Sequence, residues 1–357
     1  MNELSFEPDW VSAPGATVVA LTIEKSYEPN AMSEVLGLGT QELQAFFDGD
    51  LRIDQCLAER LAASVGATAR FWINRDRDYQ AQLEKAANKL TSSMKFPISD
   101  LERFGWINPR RHDASDALAV ARFLGVKTPA DFDERYGELE EALAFRRSAT
   151  FDLEIGAVSA WYRAVELECA RLKVSNWSPT LFTENLREIR SLTRLRQPSE
   201  FLNPLTLLCA ESGVAFCLVR APAGCPVSGI AQMVNGRAVI ALTSRHLTDD
   251  HFWFSFFHEA GHLLLHSDQI GIDVDAKADG EDEANEFARD LIVPKSSWSK
   301  LMNLDVSKFS IVRFARDIGV SPGLVVGQLQ KAKRIRYNQF NYLKNRFQWH
   351  GTNLERA

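Results

Sequence analysis

The sequence lacks the features that mark membrane, secreted and disulfide-rich proteins. Its 357 residues include no apolar run close to the roughly 18 residues that a membrane helix needs. The first residues, Met-Asn-Glu-Leu-Ser-Phe-Glu, lack the basic start and apolar segment of a secretory signal peptide. The five cysteines are scattered and form no C-x-x-C pair, which indicates reduced thiols. We therefore expect a cytoplasmic protein with no membrane partner.

Charge is distributed unevenly along the chain, although the hydrophobic content of 45% and the charged content of 25% are ordinary for a globular protein. Residues 1–80 carry 13 acidic and 6 basic side chains, whereas residues 301–357 carry 10 basic and 3 acidic ones. The formal net charge of −6 hides this contrast. An acidic segment and a basic segment imply different partners for the two parts of the chain.

The pattern of helix and strand signals predicts a mainly α, multidomain fold. Helical segments separated by Gly and Pro precede residue 195, and strand-like runs follow residue 200. The Asn235-Gly236 pair between two such runs is a strong hairpin signal. We expect an all-α domain over residues 1–95, a helical connector over 96–195, and an α+β domain with a small sheet over 196–357. The basic tail of this last domain is expected to be helical from about residue 306 to 347.

The segment His258-Glu259-Ala260-Gly261-His262 is the strongest chemical signal in the sequence. On a helix, histidines four residues apart lie on one face, so both imidazoles can reach one zinc ion at about 2.1 Å. Glu259 then takes the general-base position of a zinc peptidase. Apolar runs on both sides predict a buried helix, in which two imidazoles and a carboxylate are costly unless they are ligated or paired. The alternative is a pair of core histidines with a glutamate–histidine hydrogen bond.

A catalytic zinc needs a third protein ligand, and the next predicted helix offers two candidates. His266 is excluded, because it lies eight residues, or about 12 Å along the axis, from His258. Glu281 borders the apolar face of the next helix and is the preferred ligand, with Glu283 as the alternative. Asn285, one turn after Glu281, is placed to hydrogen-bond a ligating side chain. We expect one zinc per chain, although such a set of two histidines and a glutamate also accepts manganese or iron.

Three stretches of sequence carry a family resemblance. They are His-Glu-Ala-Gly-His at 258–262, Leu-Leu-Leu-His at 263–266 and Glu-Asp-Glu-Ala-Asn-Glu-Phe-Ala-Arg-Asp-Leu-Ile-Val-Pro at 281–294. Roughly residues 200–350 thus resemble the ImmA/IrrE metallopeptidases, which are gluzincin-like proteases. The resemblance implies a zincin domain with ligands His258, His262 and Glu281 and the base Glu259. It also implies cleavage of a helix-turn-helix repressor or an antitoxin after DNA damage or phage-related stress.

A second resemblance concerns the first 90 residues. Pro-Asp-Trp-Val-Ser-Ala-Pro-Gly at 8–15, Met-Ser-Glu-Val-Leu-Gly-Leu at 32–38 and Phe-Trp-Ile-Asn at 71–74 resemble the helix-turn-helix domain of HigA-type antitoxins and XRE-type repressors. The recognition helix would span residues 40–47, where Gln41 and Gln44 could read adenine edges. It contains no lysine or arginine, although basic side chains supply most of the affinity for DNA. Operator binding and a scaffold role in dimerisation or docking both stay open, and we expect a homodimer.

The basic tail has a pattern typical of nucleic-acid binding. Lys333, Arg334 and Arg336 are interleaved with aromatic residues, an arrangement that proteins use to bind single-stranded DNA. The alternative is a helix whose aromatic side chains pack on the domain core while its basic side chains face solvent.

Together these features favour a zinc-dependent endopeptidase that cleaves a repressor or antitoxin partner. We expect the substrate strand to pair with a sheet edge near residues 229–243. The alternative is a DNA-binding antitoxin or transcriptional repressor in which the peptidase fold acts as a sensor or scaffold.

Overall fold

The computed structural model describes residues 11–22, 29–108, 115–145, 154–234, 236–266, 271–273 and 280–357. Within these residues the chain is mainly helical, with sixteen α-helices and two small sheets, which confirms the predicted mainly α class. None of the described helices combines the length and the apolarity needed to cross a bilayer.

The chain divides into two compact units, one of residues 1–94 and 107–135 and one of residues 95–106 and 136–357. The expected connector over 96–195 is therefore shared between the two units. The expected domain boundaries at residues 95 and 195 stay a prediction.

The first unit is built from short capped helices around an apolar core. The Asp54 side chain accepts a hydrogen bond from the Leu57 N–H at 2.7 Å, so it caps the following helix. Trp72 is fully buried, and its indole N–H donates to the Gly66 carbonyl at 2.9 Å. The helices before residue 150 are α1 Pro14–Thr22, α2 Pro29–Leu36, α3 Thr40–Asp48, α4 Gln55–Ser64, α5 Ala69–Ser93, α6 Ile98–Arg103, α7 Asp116–Leu124 and α8 Pro129–Phe145. Of these, α6 belongs to the second unit, and α8 passes from the first unit into the second after Arg135.

The second unit contains a four-stranded sheet with the order β1-β3-β2-β4. β1 runs parallel to β3, and β2 runs antiparallel to β3 and β4. A tight connection joins β2 to β3, as predicted, although Asn235 itself lies outside the described residues. The strands are β1 Val214–Leu218, β2 Gly229–Val234, β3 Arg237–Leu242 and β4 Gly271–Asp273.

The expected pairing of a substrate strand with an edge of this sheet stays a prediction. Among the described residues β1 and β4 are the outer strands, β3 lies inside the sheet, and β4 pairs with β2 over Gly229–Ala231.

The helices of the second unit pack around α12, which is apolar on almost every side. Phe201 contacts Phe252 and Trp253 of α12, with ring centroids 5.2 and 5.0 Å apart. The remaining helices are α9 Ile155–Arg171, α10 Pro179–Leu192, α11 Pro198–Glu211, α12 Asp249–Leu265, α13 Glu281–Ile292, α14 Lys295–Met302, α15 Lys308–Ile318 and α16 Pro322–Lys331.

The basic tail is α-helical only as far as Lys331, in α15 and α16, whereas we expected helix to about residue 347. After α16 the chain forms turns, a 3-10 helix at Asn341–Leu343 and a hairpin of β5 Phe347–His350 and β6 Asn353–Arg356. Phe347 is buried while the next residue, Gln348, is exposed, which is the alternation of a strand. The prediction failed because the aromatic residues were interpreted with a helical period.

Candidate metal centre

Helix α12 carries two of the candidate ligands on one buried face. His258 and His262 are one turn apart, with ring centroids separated by 4.7 Å. Their exposed fractions are only 3% and 4%. Asp249 and Asp250 occupy the first turn of the helix, where negative charge is favoured by the helix dipole. The sequence therefore places two imidazoles inside the unit on a well-anchored helix.

Helix α13 approaches α12 closely because small residues line the contact. A Cβ atom on Gly261 would lie 3.2 Å from the Cα of Ala284 and 3.2 Å from a ring carbon of Phe287. Glycine at position 261 thus allows the two helices to come together. The close approach brings Glu281, the first residue of α13, to the two histidines.

Three side-chain atoms converge at this contact. The Nε2 atom of His258 lies 3.0 Å from Oε2 of Glu281, and Nε2 of His262 lies 3.4 Å from Oε1. The two Nε2 atoms are 3.0 Å apart. Tetrahedral zinc with bonds of about 2.1 Å has ligand atoms roughly 3.4 Å from one another. The buried group of His258, His262 and Glu281 could therefore hold a metal ion.

The charge state of Glu281 suits this role. Burial raises the pKa of Glu281, but hydrogen bonds from His258 and His262, together with their charge, bring it down to about 2. The carboxylate is thus ionised at neutral pH, which is the form that binds a cation.

Ordinary core packing explains this cluster less well than a cation does. Two imidazole N–H groups that both donate to one carboxylate repel each other when their nitrogens lie only 3.0 Å apart. An ion between the three inner atoms instead accepts both Nε2 lone pairs and the carboxylate as ligands. The donor set therefore fits a divalent metal.

Glu259 lies on the side of α12 that faces the sheet. It is fully buried, and a Cβ atom on Gly229 would come within 2.5 Å of its Oε1 atom. Only glycine at the start of β2 leaves room for the carboxylate. Sequence reasoning missed Gly229, whose one signal was a glycine at the start of a buried strand.

The other two candidates on α13 lie outside the cluster. The Glu283 side chain is 70% exposed, and its Oε2 atom is 3.4 Å from Nε2 of His266. Two residues along a helix correspond to a rotation of about 200°, which explains why Glu283 points away from the cluster. Asn285 is half-buried, and the described residues show no hydrogen bond between its amide and Glu281. The structure thus brings Glu281, and not Glu283, to the two histidines.

The candidate nucleic-acid residues are at the surface. Gln41 and Gln44 are exposed on α3, and the Gln44 amide donates to Asp48 of the same helix at 3.0 Å. The basic side chains of the tail, Lys333, Arg334 and Arg336, are exposed as well. These side chains are therefore accessible to a partner. Operator binding by α3 and binding of single-stranded DNA by the tail stay predictions.

Comparison with known proteins agrees with this site. Residues 224–330 match the family model described as the IrrE N-terminal-like domain of the peptidase M78 family. The matched segment contains both histidines, Glu259 and Glu281. No curated protein matches the chain. The match indicates a metallopeptidase domain of the IrrE/ImmA type within the second unit.

Proposed function

We propose that the chain is a zinc-dependent endopeptidase that cleaves a repressor or antitoxin partner in a stress, DNA-damage or phage-related response. The proposal is carried by one observation, the convergence of two buried imidazoles and one carboxylate beside Glu259. The match of residues 224–330 to a peptidase family supports the reaction type.

Each residue of the site has a distinct role. His258, His262 and Glu281 would hold the ion, which supplies Lewis-acid polarisation of a water and of the peptide carbonyl. Glu259 accepts a proton from the attacking water and returns it to the leaving amine. The peptide bond is thereby hydrolysed to a carboxylate and an amine. Glycine at position 229 allows the Glu259 carboxylate to occupy its position, because a larger residue there would clash with it.

The choice of a transcriptional partner rests on the first unit. Its capped helices and its resemblance to helix-turn-helix domains support a role close to a repressor, and the proposal includes a homodimer because such domains bind two half-sites as dimers. A cytoplasmic location is consistent with this role.

A second candidate is a DNA-binding antitoxin or repressor that uses the peptidase fold as a sensor or scaffold. The exposure of Gln41 on α3 favours this alternative, since an exposed glutamine can contact a base edge. Cleavage chemistry separates the two candidates, because a scaffold does not require Glu259.

The test uses Glu259→Gln, which keeps the size of the side chain and removes the proton acceptor. Each variant is co-expressed with the proteins encoded beside it, and fragments are identified by mass spectrometry. Wild type should produce fragments of one partner, and Glu259→Gln should slow their formation by about 10² to 10⁴ while zinc content is unchanged. Glu283→Gln is the matched control and should cleave normally. Equal cleavage by wild type and Glu259→Gln would refute the proposed chemistry.

A further inference from the structure

A polar cavity of about 250 Å³ lies beside the first turn of α12. It is separate from the metal ligands, and none of the roles described above involves it. A narrower cavity shares His246 and His251 with it and extends to Ser228 and Ser255. The side chains that matter for the larger cavity are His246, Thr248, His251, Tyr337, Lys344 and Arg346.

Backbone pairing directs two basic side chains of the tail into this cavity. The Asp249 N–H donates to the Asn345 carbonyl at 3.0 Å, and the Phe347 N–H donates to the Leu247 carbonyl at 2.8 Å. This antiparallel bridge sets Thr248 opposite Arg346. Because side chains alternate along an extended segment, Phe347 enters the core while Arg346 turns to the opposite side.

The cavity has positive charge and hydrogen-bond donors but no acidic lining residue among those described. Lys344 is compensated, since its ammonium group lies 2.6 Å from the buried Asp250 carboxylate. The described residues provide no ion pair for Arg346. The Thr248 hydroxyl is buried and has no hydrogen-bond partner among them. Charge and donors together fit a carboxylate ligand.

His246 and His251 also line the cavity. Their rings are 4.3 Å apart and inclined by 30°.

The cavity and the metal centre lie along the same face of α12. His251 precedes His258 by seven residues, which is about two helical turns, so the two share a face and are separated by about 10.5 Å along the axis. An extended peptide covers that distance in about three residues at 3.3 Å each. Ser228 and Ser255 line the narrow cavity, and Ser228 precedes Gly229, the residue against Glu259.

We propose that this cavity binds an aspartate or glutamate side chain of the substrate, three or four residues from the scissile bond. This inference rests on the proposed endopeptidase function and names a substrate class for it. The acidic side chain would pair with Arg346 and accept a hydrogen bond from Thr248.

The experiment reads binding and cleavage separately with a random decapeptide library. For binding, immobilised Glu259→Gln protein captures peptides, and mass spectrometry gives the frequency of acidic residues. For cleavage, wild type acts on the same library, and the residues around each new terminus are counted. We expect acidic peptides to be captured, and cleavage products to be enriched in acidic residues at one position on one side of the cut.

Charge reversal makes the test specific. Arg346→Glu, alone and combined with Glu259→Gln for the capture arm, should lower the affinity for acidic peptides about tenfold and shift the preference to basic residues. Arg356→Glu is the matched control, since it reverses an exposed arginine of the same hairpin outside the cavity and should leave the preference unchanged.

The outcomes separate this inference from the proposed function. An unchanged preference in Arg346→Glu, or no acidic preference in the capture arm, overturns the inference whatever the cleavage arm gives. Acidic capture without cleavage of any peptide keeps the cavity assignment as an acidic-peptide site and overturns the endopeptidase proposal.

Discussion

At the scale of single residues, metal binding depends on the three atoms that converge between α12 and α13. We expect purified protein to hold about one zinc per chain, and His258→Ala or His262→Ala to lose it, because two remaining ligands bind zinc weakly. Glu281→Gln should also weaken binding, whereas its neighbour Glu283→Gln should leave it nearly intact. Competition with a chelator measures this ranking. A larger loss in Glu283→Gln than in Glu281→Gln would show that the assigned carboxylate is wrong.

Asp249 makes stability depend on pH. Its burial, and then the negative charge of Asp250, raise the pKa of Asp249 to about 7, although hydrogen bonds from Ser321 and Asn345 lower it in part. The pKa of an unfolded aspartate is about 3.9. At pH values between the unfolded and the folded pKa, Asp249 of the folded chain holds a proton that the unfolded chain has released. The stability that this group provides is therefore greatest at low pH and declines as pH rises to 7. The slope is at most about 1.4 kcal/mol per pH unit.

Urea unfolding at pH 5 and pH 8 checks this prediction. Asp249→Asn removes the titrating group. The free energy of unfolding of this variant, measured relative to wild type at the same pH, should therefore be higher at pH 8 than at pH 5. Any hydrogen bond lost on substitution lowers the free energy of unfolding of the variant equally at pH 5 and at pH 8. Asp317→Asn, at an exposed carboxylate, is the control and should show no such difference. An equal effect of Asp249→Asn at both pH values would contradict the assigned pKa.

The sequence predicted which three side chains come together, because chemistry and helical spacing act together there. His258 and His262 follow from a spacing of four, and Glu281 follows from the apolar face of its helix. The contact between Gly229 and Glu259 could not be predicted, because it joins residues 30 positions apart through sheet packing. The Arg346 cavity was missed for the same reason, since it depends on a bridge between residues 248 and 346.

At the scale of elements, the position of β2 against α12 determines how much room the Glu259 side chain has. A Cβ atom on Gly229 would come within 2.5 Å of Oε1 and 2.9 Å of Cγ of Glu259. Gly229→Ala should therefore displace the carboxylate and reduce peptide cleavage at least tenfold, an effect of about 1.4 kcal/mol on the barrier. The zinc content should stay near one per chain, because the metal ligands lie on α12 and α13.

A matched glycine provides the control for this prediction. Gly137 lies in α8, where a Cβ atom would meet nothing within 4 Å, so Gly137→Ala should leave cleavage unchanged. Elemental analysis and a cleavage assay on both variants give the comparison. Loss of zinc together with activity in Gly229→Ala would mean that β2 supports the ligands rather than the base.

Element types were predicted correctly where the local signals were consistent. Three strands and α12 follow from apolar patterning and turn residues. The tail was wrong because its aromatic residues fit a helical period over several positions, while β5 and β6 are only four residues each. Short strands carry little periodic signal, and pairing with the start of α12 stabilises them instead.

At the scale of the whole molecule, the chain divides into two compact units, each built from two separate stretches of sequence. Residues 107–135 belong to the first unit and residues 95–106 to the second. Such an exchange of segments depends on packing between distant residues, which composition and periodicity do not encode. Charge, in contrast, is a property of the sequence itself. The basic segment 301–357 therefore still supports a prediction about partners.

The basic segment should bind single-stranded DNA at low salt. Lys333, Arg334 and Arg336 are exposed, and the nearby rings of Tyr337 and Tyr342 are 69% and 68% exposed, so bases could stack on them. Each phosphate contact should contribute about −0.7 to the slope of log affinity against log salt concentration, which gives about −2 for three contacts. Fluorescence anisotropy with a labelled oligonucleotide over a series of salt concentrations measures this slope.

Neutralising the three basic residues with glutamine should flatten the slope by about 2 without changing zinc content. A second triple variant, in which Lys308, Arg313 and Arg316 of α15 become glutamine, alters the net charge equally and tests whether position matters. If general electrostatic attraction alone were responsible, both triple variants would flatten the slope to the same extent. Absence of binding at low salt, or the same slope in wild type and the first variant, would show that these residues do not contact DNA. In that case the exposed tyrosines and basic side chains would have to contact a different partner.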